Sequence, residues 1–235
     1  MPGAPSFDQL AKMKTFKHTV KAASKQGSKP DDTVFAVYEP IISITPPPGC
    51  TLNGAGGKLF MLAPRWDKAT YVSRDDGAAA FSYLSTLTYS SKTGAPEKAV
   101  AEHIKMAYSS PGATKPVNPA KKIPGQSASN PLDRLFRDAD RRKKNRSEAI
   151  KVCEKYWGKK YSQNSKYQCD EFPFATTYQG AAQSLSEPTA PKQNNFSAMP
   201  LVTAENRDAG ILLGQFMTKN RIIDAKDDGF IVQIK

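Results

Sequence analysis

The chain has 235 residues, 39% of them hydrophobic, which is enough to build a packed core in one large domain or two small ones. No apolar run approaches the roughly 20 residues that a membrane-spanning helix needs, so a transmembrane helix is excluded. The formal net charge of +12 is unevenly spread: residues 1–30 carry +5 and residues 115–160 carry +9, whereas 31–114 and 161–235 each carry −1. An excess confined to two segments favours a polyanionic partner, nucleic acid or an anionic membrane, with a solvated helix face and a floppy tail as the plain alternative.

Taken in chain order, residues 1–30 form a basic arm. Its only periodic apolar residues, Phe7, Leu10, Met13 and Phe16, are spaced as one face of a short helix. Residues 31–110 read as a small antiparallel sheet with a helix. The β-branched and aromatic runs over 33–38, 41–45, 58–62, 69–73 and 81–89 predict five strands, the second stopped by Pro46-Pro47-Pro48-Gly49. Ala95-Pro96-Glu97 opens a helix with Val100, Ile104 and Ala107 on its apolar side. Asp75, Asp76 and His103 read here as isolated polar groups of turns and a helix face. Residues 111–131 hold prolines at 111, 116, 119, 124 and 131 and read as a semi-extended linker. The remaining 132–235 begin with the cationic stretch Arg141-Arg142-Lys143-Lys144-Asn145-Arg146, predicted as a helix with a positive outer face. Later come a strand over 199–202, a helix capped by Thr203 that runs through Gly210 and Gly214, and strands over 221–223 and 230–234. The two glycines cost helix stability, so a close approach to another backbone is expected there.

Only two histidines exist, His18 and His103, and neither lies in the last 130 residues. A mechanism that takes its histidine from that part of the chain is excluded. The cysteines, Cys50, Cys153 and Cys169, lack the spacing of a zinc site. A bond between Cys153 and Cys169 would staple a short polar loop; three reduced thiols are the alternative.

The most informative segment is Cys169-Asp170-Glu171-Phe172-Pro173-Phe174-Ala175-Thr176-Thr177-Tyr178-Gln179-Gly180. Adjacent carboxylates among aromatic residues are costly to ionise without a cation, so each needs a partner. Pro173 biases Phe172 to extended backbone, which sends Asp170 and Glu171 to opposite faces unless the chain bends. One acid is therefore expected at a metal or an attacking water and the other in support. Asn206, one turn before Gly210, is either a helix-capping amide or a ligand for a hard cation.

The 169–180 motif resembles the core motif of the NucA/NucB-type secreted bacterial deoxyribonucleases. Val202, Glu205-Asn206-Arg207 and Gly210 match a second motif in the same order, and Ile123-Pro124-Gly125, Asn145-Arg146 and Cys153 match longer members. The likeness covers about residues 120–235. It implies an α+β chain in which a small antiparallel-sheet N-terminal domain precedes a ββα-metal, or His-Me-finger-like, nuclease core whose histidine base is replaced by a carboxylate. It further implies Asp170, Glu171 and Asn206 as catalytic residues. The same three with Gln215 are implied around a divalent ion, Mg2+ or Mn2+. Arg207, Arg141, Arg142, Lys143, Lys144 and Arg146 are implied as contacts to DNA, with RNA as a further substrate. A secreted monomer with Cys153 bonded to Cys169 is expected. The competing expectation is a non-catalytic nucleic-acid or cell-envelope binding protein with a structural acid pair.

Overall fold

The computed structural model describes residues 6–13, 33–35, 41–43, 45–51, 56–58, 62–72, 77–81, 83–191, 194–224 and 228–235. Among them the fold is α+β. The N-terminal part holds a short helix, α1 (Phe7–Lys12), and short strands β1 (Val34–Phe35), β2 (Ile41–Ser43), β3 (Gly56–Lys58), β4 (Pro64–Asp67) and β5 (Ala78–Phe81). They pair antiparallel as β1-β4-β5 and β2-β3. Residues 36–38, 44–45 and 59–62 were expected to lengthen these strands; 36–38, 44 and 59–61 lie outside the described residues, as do His18, Asp75 and Asp76. The strand expected over 69–73 is instead a turn at 69–72, closed by the Val72 N–H donating to the Ala69 carbonyl, and residue 73 lies outside the described residues. Asp67 accepts from the Ala69 N–H at 2.9 Å, so a side chain takes the donor that a strand ladder would have used.

The strand expected over 81–89 divides, and its second half joins the rest of the chain. Strand β6 (Ser85–Tyr89) pairs parallel with the last strand, β9 (Phe230–Ile234), in the register Ser85↔Phe230 to Tyr89↔Ile234. Helix α2 (Lys98–Ser109) follows and buries Val100, Ala101, Ile104 and Ala107. These side chains share one core with Leu132, Phe172, Leu201, Leu213, Phe216, Phe230 and Val232. Residues on both sides of the proline-rich 111–131 stretch thus build a single core. That stretch is itself docked rather than spacing two bodies apart: the Lys121 ammonium donates to the carbonyls of Thr114, Pro116 and Phe196 and to Thr114 Oγ1 at 2.7–3.1 Å.

Helix α3 (Ala139–Trp157) starts where Asp138 Oδ1 accepts from the Arg141 N–H. Strand β7 (Tyr167–Phe172) then pairs antiparallel with β8 (Ser197–Val202), and α5 (Thr203–Lys219) follows β8 directly. Between the two strands lies a one-turn helix, α4 (Gln183–Ser186). Two antiparallel strands and the helix after them are thus the ββα order. Helix α5 begins one residue earlier than a Thr203 cap would place it: Val202 holds the capping position, and the Thr203 hydroxyl donates to the Ser165 carbonyl. Gly210 and Gly214 face open space, so the close backbone approach expected of them is absent. Residues 221–223 are irregular rather than a strand: Arg221, at φ 48°, turns the chain so that its guanidinium meets Asp67.

That contact belongs to a buried ionic cluster tying β4 to the C-terminal loop. Arg65 pairs with Asp228 and Asp67 and donates to the Arg221 carbonyl, while Arg221 donates to both Asp67 oxygens at 2.6 and 2.9 Å. Removing one partner from a buried network strands a charge, so Arg65→Met is expected to lower unfolding stability by about 3–5 kcal/mol, measured by denaturant melts. Lys121 gives a pH signature. Its four oxygen acceptors favour the ammonium, but burial foremost, then the Lys115 charge, bring it down to about 8. The unfolded chain then holds a proton that the fold has released. Wild type should gain stability over Lys121→Met as pH rises from about 8 toward 10.5, and a flat difference across that range would refute it.

Candidate functional site

Strand β7 runs without a bend through both acids, Asp170 opposite Met199 and Glu171 opposite Ala198. Alternation therefore sends the two carboxylates to different sides of the hairpin, and both sides are covered. Asp170 and Glu171 are each only 6% exposed.

On one side Glu171 faces α3. Arg146 donates to the Glu171 carboxylate and to the Cys169 carbonyl. Burial raises the Glu171 carboxyl to about 7; the Arg146 charge opposes this, and the neighbouring Asp170 adds to it. The same face holds Ala149, Cys153, Cys169, Phe196 and Ala198, with a disulfide between Cys153 and Cys169. Asn145, fully buried one turn away, donates to the Ala175 and Thr177 carbonyls and accepts from the Ala182 N–H. It thereby shapes the loop that follows β7. A Cβ at position 180 would collide with the Asn145 amide, which explains the glycine ending that motif.

On the other side Asp170 faces α2. His103, 1% exposed, places Nδ1 2.6 Å from Asp170 Oδ2 and Nε2 2.7 Å from Ser197 Oγ. His103 is no isolated group on a helix face; it belongs to the surroundings of the acid pair, delivered from α2 across 67 positions of sequence. A sequence signal existed: position 103 lies three residues after Val100 and four before Ala107, on the buried stripe of α2.

Asn206 shares this second side. Its amide meets Gln168 Oε1 at 3.4 Å, and Gln168 and Asp170 alternate onto one face of β7. Gln215 does not join them. Nine residues of helix carry it about 13.5 Å along the axis and roughly half a turn round from Asn206, and its side chain is exposed. Among the described residues no three His, Cys, Asp or Glu side chains gather as a metal cage. The four residues expected around one ion are therefore spread over both hairpin faces and both ends of a helix. The Asp170 face offers one carboxylate and the side-chain amides of Gln168 and Asn206. Such hard oxygen donors fit Mg2+ or Mn2+ retaining most of its water.

The cationic stretch divides by residue type. Arg141 donates to the Tyr178 carbonyl and to Glu187 and stacks on Tyr178, Arg142 donates to the Phe136 carbonyl and lies over its ring, and Arg146 serves Glu171. Lys143 and Lys144 are exposed. Arg207 is exposed too and, among the described residues, reaches its neighbour Asp208.

Comparison with known proteins gives one match. No curated protein and no solved structure matches the chain, but residues 125–232 match the family model described as Deoxyribonuclease NucA/NucB. This stretch contains β7, both acids, Asn206 and all but the end of β9, and it begins after His103. Residues 125–232 of the chain accordingly belong to the NucA/NucB deoxyribonuclease family.

Proposed function

We propose that the protein is a metal-dependent, sequence-tolerant endonuclease that hydrolyses DNA phosphodiester bonds, with Asp170 as its working carboxylate. The observation that carries the choice is the alternation along β7, which groups Asp170 with Asn206 on the α5 side and leaves Glu171 on the α3 side with Arg146. Asp170 and Asn206 would hold a hydrated Mg2+ or Mn2+, which when bound neutralises charge developing on the scissile phosphate. Asp170 orients the attacking water and accepts its proton. Glu171 acts at one remove, keeping Arg146 against the β7 backbone. Arg207, in the first turn of α5, meets a substrate phosphate, helped by the positive end of the helix. Lys143 and Lys144 contact the DNA backbone further out, a term that carries no sequence preference.

A disulfide suits an oxidising compartment, which supports a secreted enzyme. No helix among the described residues is long and apolar enough to cross a membrane.

Plasmid incubated with the protein and Mg2+ or Mn2+ should be nicked and then degraded, with EDTA stopping the reaction. Asp170→Ala should remove at least about 10³-fold of kcat, the order lost when a group acting in the transition state is deleted, and should leave DNA binding in EDTA intact. Plasmid left whole in every metal would return the protein to the DNA-binding class, its acids purely structural. For Arg207→Ala the expectation is weaker DNA binding at all sequences, with the slope of log K against log salt shallower by about one; an unchanged slope would take Arg207 out of the phosphate contacts.

A further inference from the structure

The family-matched stretch supplies Asp170 but not what Asp170 rests on. We infer that His103, from α2, is a positioning residue for the Asp170 carboxylate, and that Ser197 fixes the orientation of its ring. The inference rests on Asp170 being the working acid and extends the site beyond residues 125–232.

The arrangement is tightly determined. The carboxylate can only accept, so His103 Nδ1 donates to Asp170 Oδ2 at 2.6 Å, and Nε2 meets the Ser197 hydroxyl at 2.7 Å. Both ring nitrogens are thus engaged, and the imidazole has no second orientation that satisfies them. Ser197 sits opposite Phe172 at the far end of β8, on the same side of the hairpin as Asp170, so one sheet face presents both partners to one ring.

The helix that carries the ring is itself pinned. The Ala99 N–H, in the first turn of α2, donates to Glu205 Oε2 of α5 at 2.7 Å, and the strand before it, β6, is held to the same helix by the Tyr89 hydroxyl donating to the Ala209 carbonyl at 2.6 Å. Glu205 adjoins Asn206 in the chain. The same turn of α5 that presents Asn206 therefore sets the position of α2, and through it of His103 and Asp170. Only Oδ2 meets the ring, so the proposal leaves Oδ1 for the attacking water or the metal.

The order serine, histidine, aspartate matches the relays that activate a serine nucleophile. Burial decides against that use, because Ser197 is 1% exposed and cannot reach a substrate atom. What remains is orientation of a carboxylate by an outer partner, whose loss typically costs 10–100-fold in activity.

The test exploits the two amides that each mimic one ring nitrogen. Asparagine places its NH2 near the position of Nδ1, and glutamine reaches toward that of Nε2. With the full chain, plasmid and Mn2+, His103→Asn should keep kcat near wild type. His103→Gln and His103→Ala should lose about 10–100-fold in kcat, with KM and the DNA Kd in EDTA unchanged. In the Asp170→Ala background, His103→Ala should cost nothing more, since it acts only through that carboxylate. Thermal melts establish which variants fold. Equal kcat for folded His103→Asn and His103→Gln overturns the inference, as does a loss that appears in DNA binding rather than in kcat. Should His103→Ala and His103→Gln both fail to fold, Ser197→Ala decides: a moderate kcat loss at unchanged KM supports the relay, and wild-type kcat overturns it. Full activity in Asp170→Ala would instead overturn the assignment of the acid, a result distinct from the failure of His103 alone.

Discussion

Everything at this site follows from the period of two along one strand that is covered on both faces. Because β7 does not bend between residues 170 and 171, two adjacent carboxylates are driven to opposite sides of a hairpin, each into a nearly dry setting. A buried carboxylate without a partner is too costly to keep ionised, and a single partner cannot serve both faces. The fold supplies two. Arg146 on α3 meets Glu171, and His103 on α2 meets Asp170. The helices that bring them also complete the apolar packing on each side: Ala149 and Cys153 against Cys169 and Ala198 on one, Ile104 and Val100 among Phe172 and Leu201 on the other. Packing and charge pairing are therefore the same requirement, met by the same two helices.

That requirement explains why the folded unit exceeds the family-matched stretch. Residues 125–232 alone would leave the Asp170 face of the hairpin without α2 and β9 without its parallel partner β6. A parallel pair needs a long crossover, and here almost the entire nuclease lies between the two strands. The consequence is that the chain from Ser85 onward closes on itself, first strand beside last. The ionic cluster of Arg65, Asp67, Arg221 and Asp228 then ties the preceding β4 to the loop before β9, beside a small apolar contact of Ala69, Val72 and Ile223 and the stacking of Tyr71 on Phe136.

Much of the hairpin was legible in the sequence, and the partners were not. Alternation and Pro173 placed Asp170 and Glu171 on opposite faces without any coordinates, and the two separated motifs identified the family. The Cys153–Cys169 bond was weighed from the loop it encloses and then implied by the family likeness. What failed were inferences about distance. His103 was set aside as an isolated polar group of a helix face, yet it meets an acid 67 positions away, and separation along the chain says nothing about separation across a sheet. The proline-rich 111–131 stretch has the composition of a linker, but composition cannot reveal that Lys121 finds four oxygens there. Residues 69–72 and 221–223 have strand-like side chains and lack a strand partner. In the first, Asp67 takes the backbone donor; in the second, the chain turns at Arg221. Local propensity was overridden wherever a side chain offered the backbone another partner.

The charge arithmetic changes meaning in the same way. The +9 carried by residues 115–160 looks like a continuous grip on phosphate, but much of it is spent inside the protein. Arginine presents a planar fork that can satisfy several acceptors or stack on a ring, and Arg141, Arg142 and Arg146 of α3 use it to hold the loop after β7, the chain before α3 and Glu171 respectively. Lysine is a strongly hydrated point charge, and Lys143 and Lys144 stay in water where a DNA backbone can reach them. Lys121, in its nest of carbonyls, is the exception whose burial depresses it. The residue types within a basic segment therefore carry more information than its net charge. On α3 the arginines hold neighbouring elements in place, and Lys143 and Lys144 are left exposed.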